Sequence, residues 1–255
     1  MPKRSLKERL LDVRYYYTYG LFDLFRRGEK NLLEKIAPLC EEDAVENGML
    51  RVDTLTLISA AHPIAEDISE TLVPLDEKNA ILPVAHAPML ALMMAAKEAT
   101  GEDILFTSTY RTLAFQASIY GVNSFAARPG ESEHHSGLCA DIKVEGFAQR
   151  RFIMSKTGKW VAKNAHRFGF IIRYPLWGQK KTGQTYEPWH LRYVGAPHAE
   201  IIYRSKITLE EYLERLELGV YYRFGDYILT RRADGIYAGL CPTPRQGALS
   251  LGTQV

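Results

Sequence analysis

The chain has 255 residues, enough to bury a substantial core in one main domain with additions. Hydrophobic residues make up 46% and charged residues 24%, the balance of an ordinary soluble globular protein. A net charge of +2 with no Lys/Arg run gives no reason to expect a nucleic-acid partner, and three distant cysteines, Cys40, Cys139 and Cys241, form neither a disulfide framework nor a C-x-x-C site.

Residues 4 to 47 read as helical, with Leu6, Leu10, Tyr17, Leu21 and Leu24 near one face and breaks at Gly20, around Gly28 and at Pro38. The start is basic, as an export signal is. Asp12, Arg14 and Asp23 interrupt the apolar segment, however, and no small-residue cleavage site follows, so the chain as encoded reads as unexported and cytoplasmic. Residues 51 to 79 mix a short apolar stretch with an acidic loop. Residues 80 to 96 lack Lys, Arg, Asp and Glu, but they are short for a membrane span and contain Pro83, His86 and Pro88. They read as a buried helix that starts near Pro88 and stops at Gly101.

A strand over 103–110, a helix over 111–121 and a loop to 136 follow. Next come a strand at about 138–144, a helix at 156–168, a strand at "FGFIIRYP", a polar loop at 180–185 and a strand candidate at "WHLRYVG". "TLEEYLERL" is a short helix that Thr208 can cap. From Gly219 apolar and polar residues alternate around Ala233-Asp234-Gly235, a hairpin signal, and the last dozen residues read as a tail.

Two stretches carry chemistry. In "ESEHHSGLCADI", His134 and Asp141 could supply two ligands of a zinc site, which for hydrolysis needs three protein ligands and an open position. Alone, a His and an Asp seven apart occur by chance in many chains. In "YEPWHLRYVG", Glu187 stands three residues before His190. Positions three apart face opposite sides of a strand, and Pro188 disfavours a helix interior. The chain must therefore turn at Pro188-Trp189 if Glu187 and His190 are to share a site.

"STYRTLAFQASIY", "SEHHSGLCAD", "RFGFIIRYP" and "EPWHLRYVG", in this order between about residues 55 and 215, resemble the VanY-type zinc D-alanyl-D-alanine carboxypeptidases. That family's fold is shared with VanX-type dipeptidases and the hedgehog signalling domain. The resemblance implies Zn²⁺ on His134, Asp141 and His190, with Glu187 as catalytic base and Arg111 stabilising the charged transition state. It places Gln116, Ser132 and Tyr174 at substrate-binding positions, and a peptidoglycan stem peptide or precursor as substrate. His135 stands where the family often has Asn or Gln, Thr109 where it has Gly, and Cys139 in a small-residue slot. The implied fold is α+β: a small, mainly antiparallel sheet flanked by helices forms a catalytic domain over residues 51–215. An N-terminal helical segment (1–50) and a C-terminal β-hairpin extension with tail (216–255) complete the chain.

Two neutral imidazoles and one carboxylate leave zinc with a net charge of about +1, able to lower the pKa of its water to about 7. A D-Ala-D-Ala dipeptidase or a cell-wall endopeptidase could use the same residues. A non-catalytic zinc-binding module would need neither Glu187 nor Arg111. Lys181-Thr182-Gly183 suggests a serine D,D-peptidase, but no serine here precedes a lysine at the Ser-x-x-Lys spacing.

Overall fold

A computed structural model of the protein describes residue 14 and residues 27–46, 48–68, 71–122 and 126–241. Its strands in chain order are β1 (Glu34–Ile36), β2 (Leu50–Arg51), β3 (Val73–Pro74), β4 (Ala80–Ile81), β5 (Leu105–Ser108), β6 (Cys139–Lys143), β7 (Phe170–Ile172), β8 (His190–Tyr193), β9 (Tyr221–Phe224), β10 (Tyr227–Arg232) and β11 (Gly235–Leu240). The chain forms two compact units. Of the described residues, one unit holds Arg14, residues 27–30 and Thr54–Leu213, and the other joins Asn31–Asp53 to residues 214–241.

The first unit is the α+β arrangement expected, built on an antiparallel four-stranded sheet in the order β5-β6-β8-β7. Strand alternation gives its two faces opposite characters. Ala140, Ile142, Phe170 and Leu191 join Met89, Leu92 and Ala96 of the helix Pro83–Thr100, and Val161 of the helix Lys156–Asn164, in one apolar core. Each such leucine, isoleucine or phenylalanine contributes about 1.5–3 kcal/mol by leaving water.

The other face carries Cys139, Asp141, His190, Arg192 and Arg173. A register shift between Phe106 and Ser108 in β5 re-aims the end of that strand. Phe106 pairs with Ile142 on the apolar side, whereas Ser108, two residues later, pairs with Asp141 on the polar side.

The helix expected from Pro88 begins five residues earlier, at Pro83. Pro83 occupies the first turn, where a missing N–H costs nothing, and Pro88 is carried inside the helix. Gly101 ends it in a left-handed conformation, φ 78°, donating its N–H to the Lys97 carbonyl. The helix expected over 111–121 is Leu113–Ile119, capped by the Thr112 hydroxyl, and the one at 156–168 becomes 3₁₀ from Ala165. Among the described residues, no helix is long and apolar enough to cross a membrane.

The second unit corrects the helical reading of residues 4–47. Within residues 31–46 only Glu41–Glu46 is a helix, and residues 34–36 are strand β1; of residues 4–26 only Arg14 is described, and it is helical. With β2 at 50–51, β1 closes a five-stranded antiparallel sheet in the order β1-β9-β10-β11-β2. The expected hairpin around Asp234-Gly235 is the β10–β11 pair, extended by β9 into a meander. Two short segments with no strand pattern of their own become strands because the meander offers them edges. The Leu6, Leu10, Tyr17, Leu21 and Leu24 pattern, and the tail from 242, lie outside the described residues.

Candidate active site

His134 and His135 lie on a 3₁₀ turn, Glu133–Ser136, that Gly137 terminates at φ 65°. A Cβ on Gly137 would approach Ile68 to 2.9 Å and Leu82 to 3.0 Å, so both backbone and space require glycine there. The two histidines then part. His135 Nε2 accepts the Gly130 N–H at 3.1 Å, which places its proton on Nδ1, donating to the Arg111 carbonyl at 2.7 Å. It ties the loop to the start of the preceding helix, Leu113–Ile119, and offers no lone pair to a metal. His134 Nδ1 donates to the Thr109 carbonyl at 2.6 Å, leaving the Nε2 lone pair 3.2 Å from Asp141 Oδ2. The hydroxyl of Thr109 accepts the Ala80 N–H at 2.9 Å, so the residue in the glycine slot fastens the strand that holds His134.

Asp141 and His190 are directly paired across β6 and β8, with Asp141 Oδ1 2.9 Å from His190 Nδ1. The His134 and His190 rings stand edge to face, centroids 4.9 Å apart. Burial pushes the Asp141 carboxyl up, but the facing imidazoles and their hydrogen bonds overcome it and hold the group well below the usual carboxylate range. Burial likewise lowers His134, which keeps its imidazole neutral.

Glu187 reaches the site through the turn that its spacing demanded. Its carbonyl accepts the His190 N–H at 3.1 Å, and its own N–H donates to the Tyr174 carbonyl at 3.0 Å. Burial, reinforced by the negative charge of Asp141, pushes the Glu187 carboxyl up to about 7 against the pull of His190 and Arg111. Arg111 donates from Nε to Ser108 Oγ at 2.7 Å, from Nη2 to Asp141 Oδ2 at 3.1 Å and from Nη1 to Gln116 Oε1 at 3.4 Å. Burial lowers its pKa, yet a guanidinium stays charged.

The remaining expected residues are placed less uniformly. The Tyr174 ring is 5.0 Å from that of His190, and Ser132 is buried at the start of the histidine turn. Gln116 is fully buried, donating to the Ala127 carbonyl at 2.8 Å, so its amide faces the protein and the Arg111 side chain. His62, His86, His166 and His198 lie apart from this cluster in local pairings, such as His198 with the Tyr212 hydroxyl and His166 stacked on Tyr203.

The donor set fits a zinc ion. Nitrogen atoms of two histidines and one carboxylate oxygen lie within 4.8 Å of one another, all buried, with the His134 ring held from behind by the Thr109 carbonyl. The separations of 2.9 Å (His190 Nδ1 to Asp141 Oδ1) and 3.2 Å (His134 Nε2 to Asp141 Oδ2), one to each carboxylate oxygen, approach the edge of a tetrahedron with bonds of about 2.0–2.1 Å, the zinc–histidine length. A second group, Glu133, Cys139 and His190, also has ligand-type atoms close together. Its carboxylate is already committed: Glu133 Oε1 is 2.7 Å from Arg173 Nε and 3.2 Å from Arg192 Nη1, with no exposed surface.

That committed cluster is what sequence reasoning missed. Arg173 also clasps both Glu210 oxygens, at 2.6 and 3.0 Å, and Arg192 Nη2 donates to the Thr54 and Thr56 carbonyls. The available signal was strand alternation. In "HLRY", Arg192 must share the face of His190, and a charge there demands a buried partner.

The family model for VanY, D-alanyl-D-alanine carboxypeptidase, matches residues 80–196. The chain is similar to YodJ of Bacillus subtilis, 39% identical over 144 residues, which are 51% of this chain and 53% of that protein. It is 32% identical over 189 residues to a D-alanyl-D-alanine carboxypeptidase of Enterococcus faecalis, covering 67% of this chain and 69% of that one. A crystal structure of the VanY D,D-pentapeptidase from a VanB-type vancomycin resistance cassette, in complex with Zn(II), superposes with a TM-score of 0.56 at 31% identity. That match covers 63% of this chain and 98% of the other. The chain thus spans about half the length of YodJ and nearly all of the solved VanY domain.

Proposed function

This chain belongs to the VanY family of D-alanyl-D-alanine carboxypeptidases, and from that premise we propose that it hydrolyses the terminal D-Ala-D-Ala amide of peptidoglycan stem peptides or their precursors. The observation that carries the reading is the convergence of the His134, Asp141 and His190 ligand atoms, with Glu187 joined to His190 by a backbone hydrogen bond across one turn.

His134 Nε2, an Asp141 oxygen and His190 Nδ1 would hold the zinc. When bound, the ion supplies a Lewis acid at the scissile carbonyl and an acidified water. Glu187, ionised in part at neutral pH, takes a proton from the attacking water and passes it to the departing amine of D-alanine as the C–N bond breaks. Arg111 meets the oxyanion: three of its five N–H donors are committed to Ser108, Gln116 and Asp141, and two remain for substrate. Tyr174 and Ser132 contact the substrate in this reading. Gln116 acts through Arg111 instead, because its amide faces inward.

The test is D-alanine release from a muramyl-type pentapeptide ending in D-Ala-D-Ala, with and without a chelator. Chelator-sensitive release that zinc restores supports the reading. Release of the dipeptide D-Ala-D-Ala, or no turnover by the zinc-loaded protein, overturns it.

A further inference from the structure

We propose that Glu133 is a positioning residue: braced by Arg173 and Arg192, it receives the Nε2–H of His190 and so keeps the Nδ1 lone pair of that ring available to a metal. The inference rests on the proposed ligand role of His190.

An imidazole that ligates through Nδ1 must carry its proton on Nε2. Among the described residues, the buried His190 Nε2 has no hydrogen-bond partner. It lies 4.0 Å from Glu133 Oε2, about 1 Å beyond a hydrogen bond. The His190 ring thus has a carboxylate off each nitrogen, Asp141 at Nδ1 and Glu133 at Nε2. The two carboxylates compete to set the tautomer. Asp141 alone would draw the proton to Nδ1 and leave the wrong nitrogen free; a second anion behind the ring makes Nε2–H the favourable form.

The brace explains why that anion persists in a site with no exposed surface. A lone buried carboxylate would take up a proton, but Glu133 Oε1 faces two guanidinium groups, leaving Oε2 directed to the His190 side. Arg173 is itself held by Glu210, so the brace reaches the helix Leu209–Arg215. The other group near Nε2 is Cys139, whose Sγ is 3.5 Å from Glu133 Oε2. A thiol is a weak acceptor and already donates to that carboxylate, which leaves Glu133 as the acceptor.

The experiment uses the full chain with ¹⁵N-labelled histidine, long-range ¹H–¹⁵N correlation spectra and zinc affinity by chelator competition. Zinc-loaded wild type is expected to show His190 protonated at Nε2, with that proton slow to exchange. Cys139→Ala should keep both the signal and the affinity within about twofold, while Glu133→Gln should weaken zinc binding by about 10–100-fold, as loss of a ligand's outer hydrogen-bond partner does. A His190 proton on Nδ1, unchanged affinity in Glu133→Gln, or loss of the Nε2–H signal in Cys139→Ala would each overturn the proposal. If Glu133→Gln does not fold, the wild-type and Cys139→Ala spectra decide. Zinc binding that survives His134→Ala would sink the metal site itself; binding lost there but intact in Glu133→Gln sinks only the role of Glu133.

Discussion

The backbone N–H of His190 donates to the carbonyl of Glu187 across 3.1 Å, so a proposed metal ligand and the proposed base are the two ends of one tight turn. The base is positioned by the main chain, independently of its own carboxylate. Glu187→Gln should therefore leave zinc stoichiometry unchanged and lower kcat by about 10²–10⁴, the usual contribution of a general base. Metal analysis alongside turnover checks both halves. Normal turnover in the variant would remove Glu187 from the chemistry.

Arg111→Lys should lower kcat by about 10²–10³ with a smaller change in KM, because a lysine cannot hold Ser108, Asp141 and an oxyanion at once. Gln116→Ala should cost less, since it removes a single 3.4 Å contact to the Arg111 guanidinium. Steady-state kinetics of the pair would separate the roles: equal losses would mean that Gln116 acts on the substrate directly.

The pH profile has a predictable sign. Glu187 must be ionised to accept a proton, and burial holds its pKa at about 7. The activity should therefore fall on the acid side with a midpoint near 7, or lower once a bound cation favours the carboxylate. A limb well above 7 would point to another group. In Glu187→Asp the limb should move with the carboxyl while the alkaline side stays in place.

Acid stability should report Glu133. Burial raises its pKa, but Arg173 and Arg192 prevail and hold it at about 2, below its ordinary value. A depressed carboxylate stabilises the fold above its unfolded pKa of about 4.3, and that contribution is lost as pH falls through the folded value. Denaturant midpoints should therefore drop between about pH 4.5 and 2. In a folded Glu133→Gln protein this slope should flatten, with lower stability at neutral pH because two buried guanidinium groups lose their partner. An unchanged slope would show that other carboxylates carry the acid transition.

Much of the candidate site was readable in the sequence because the residues proposed for it are grouped locally. His134 and Asp141 belong to one turn-and-strand unit, and the need for Glu187 to meet His190 is enough to locate the turn at Pro188-Trp189. What could not be read depends on distant pairing. Glu133, Arg173 and Arg192 become partners only when β6, β8 and β7 lie side by side, and nothing near Arg173 announces the carboxylate forty residues before it. Likewise, Ser108 reaches the polar face through a register shift that an alternation rule, applied from Phe106, assigns to the opposite side. Residues 34–36 carry three side chains of no particular pattern and are strand only because β9 lies beside them.

The five-stranded sheet draws its outer strands from early in the chain and its inner meander from late in it, with Glu34 opposite Arg223. On the ribosome, β1 and β2 therefore emerge well before the strands that will pair with them. At synthesis rates of about 5–20 residues per second, the wait is on the order of ten seconds or more. Unpaired strands invite wrong partners, and these two are poor bait: they are three and two residues long, and Glu34, Lys35 and Arg51 keep charge on them. Their brevity suits a segment that must stay unattached until synthesis of the meander is complete.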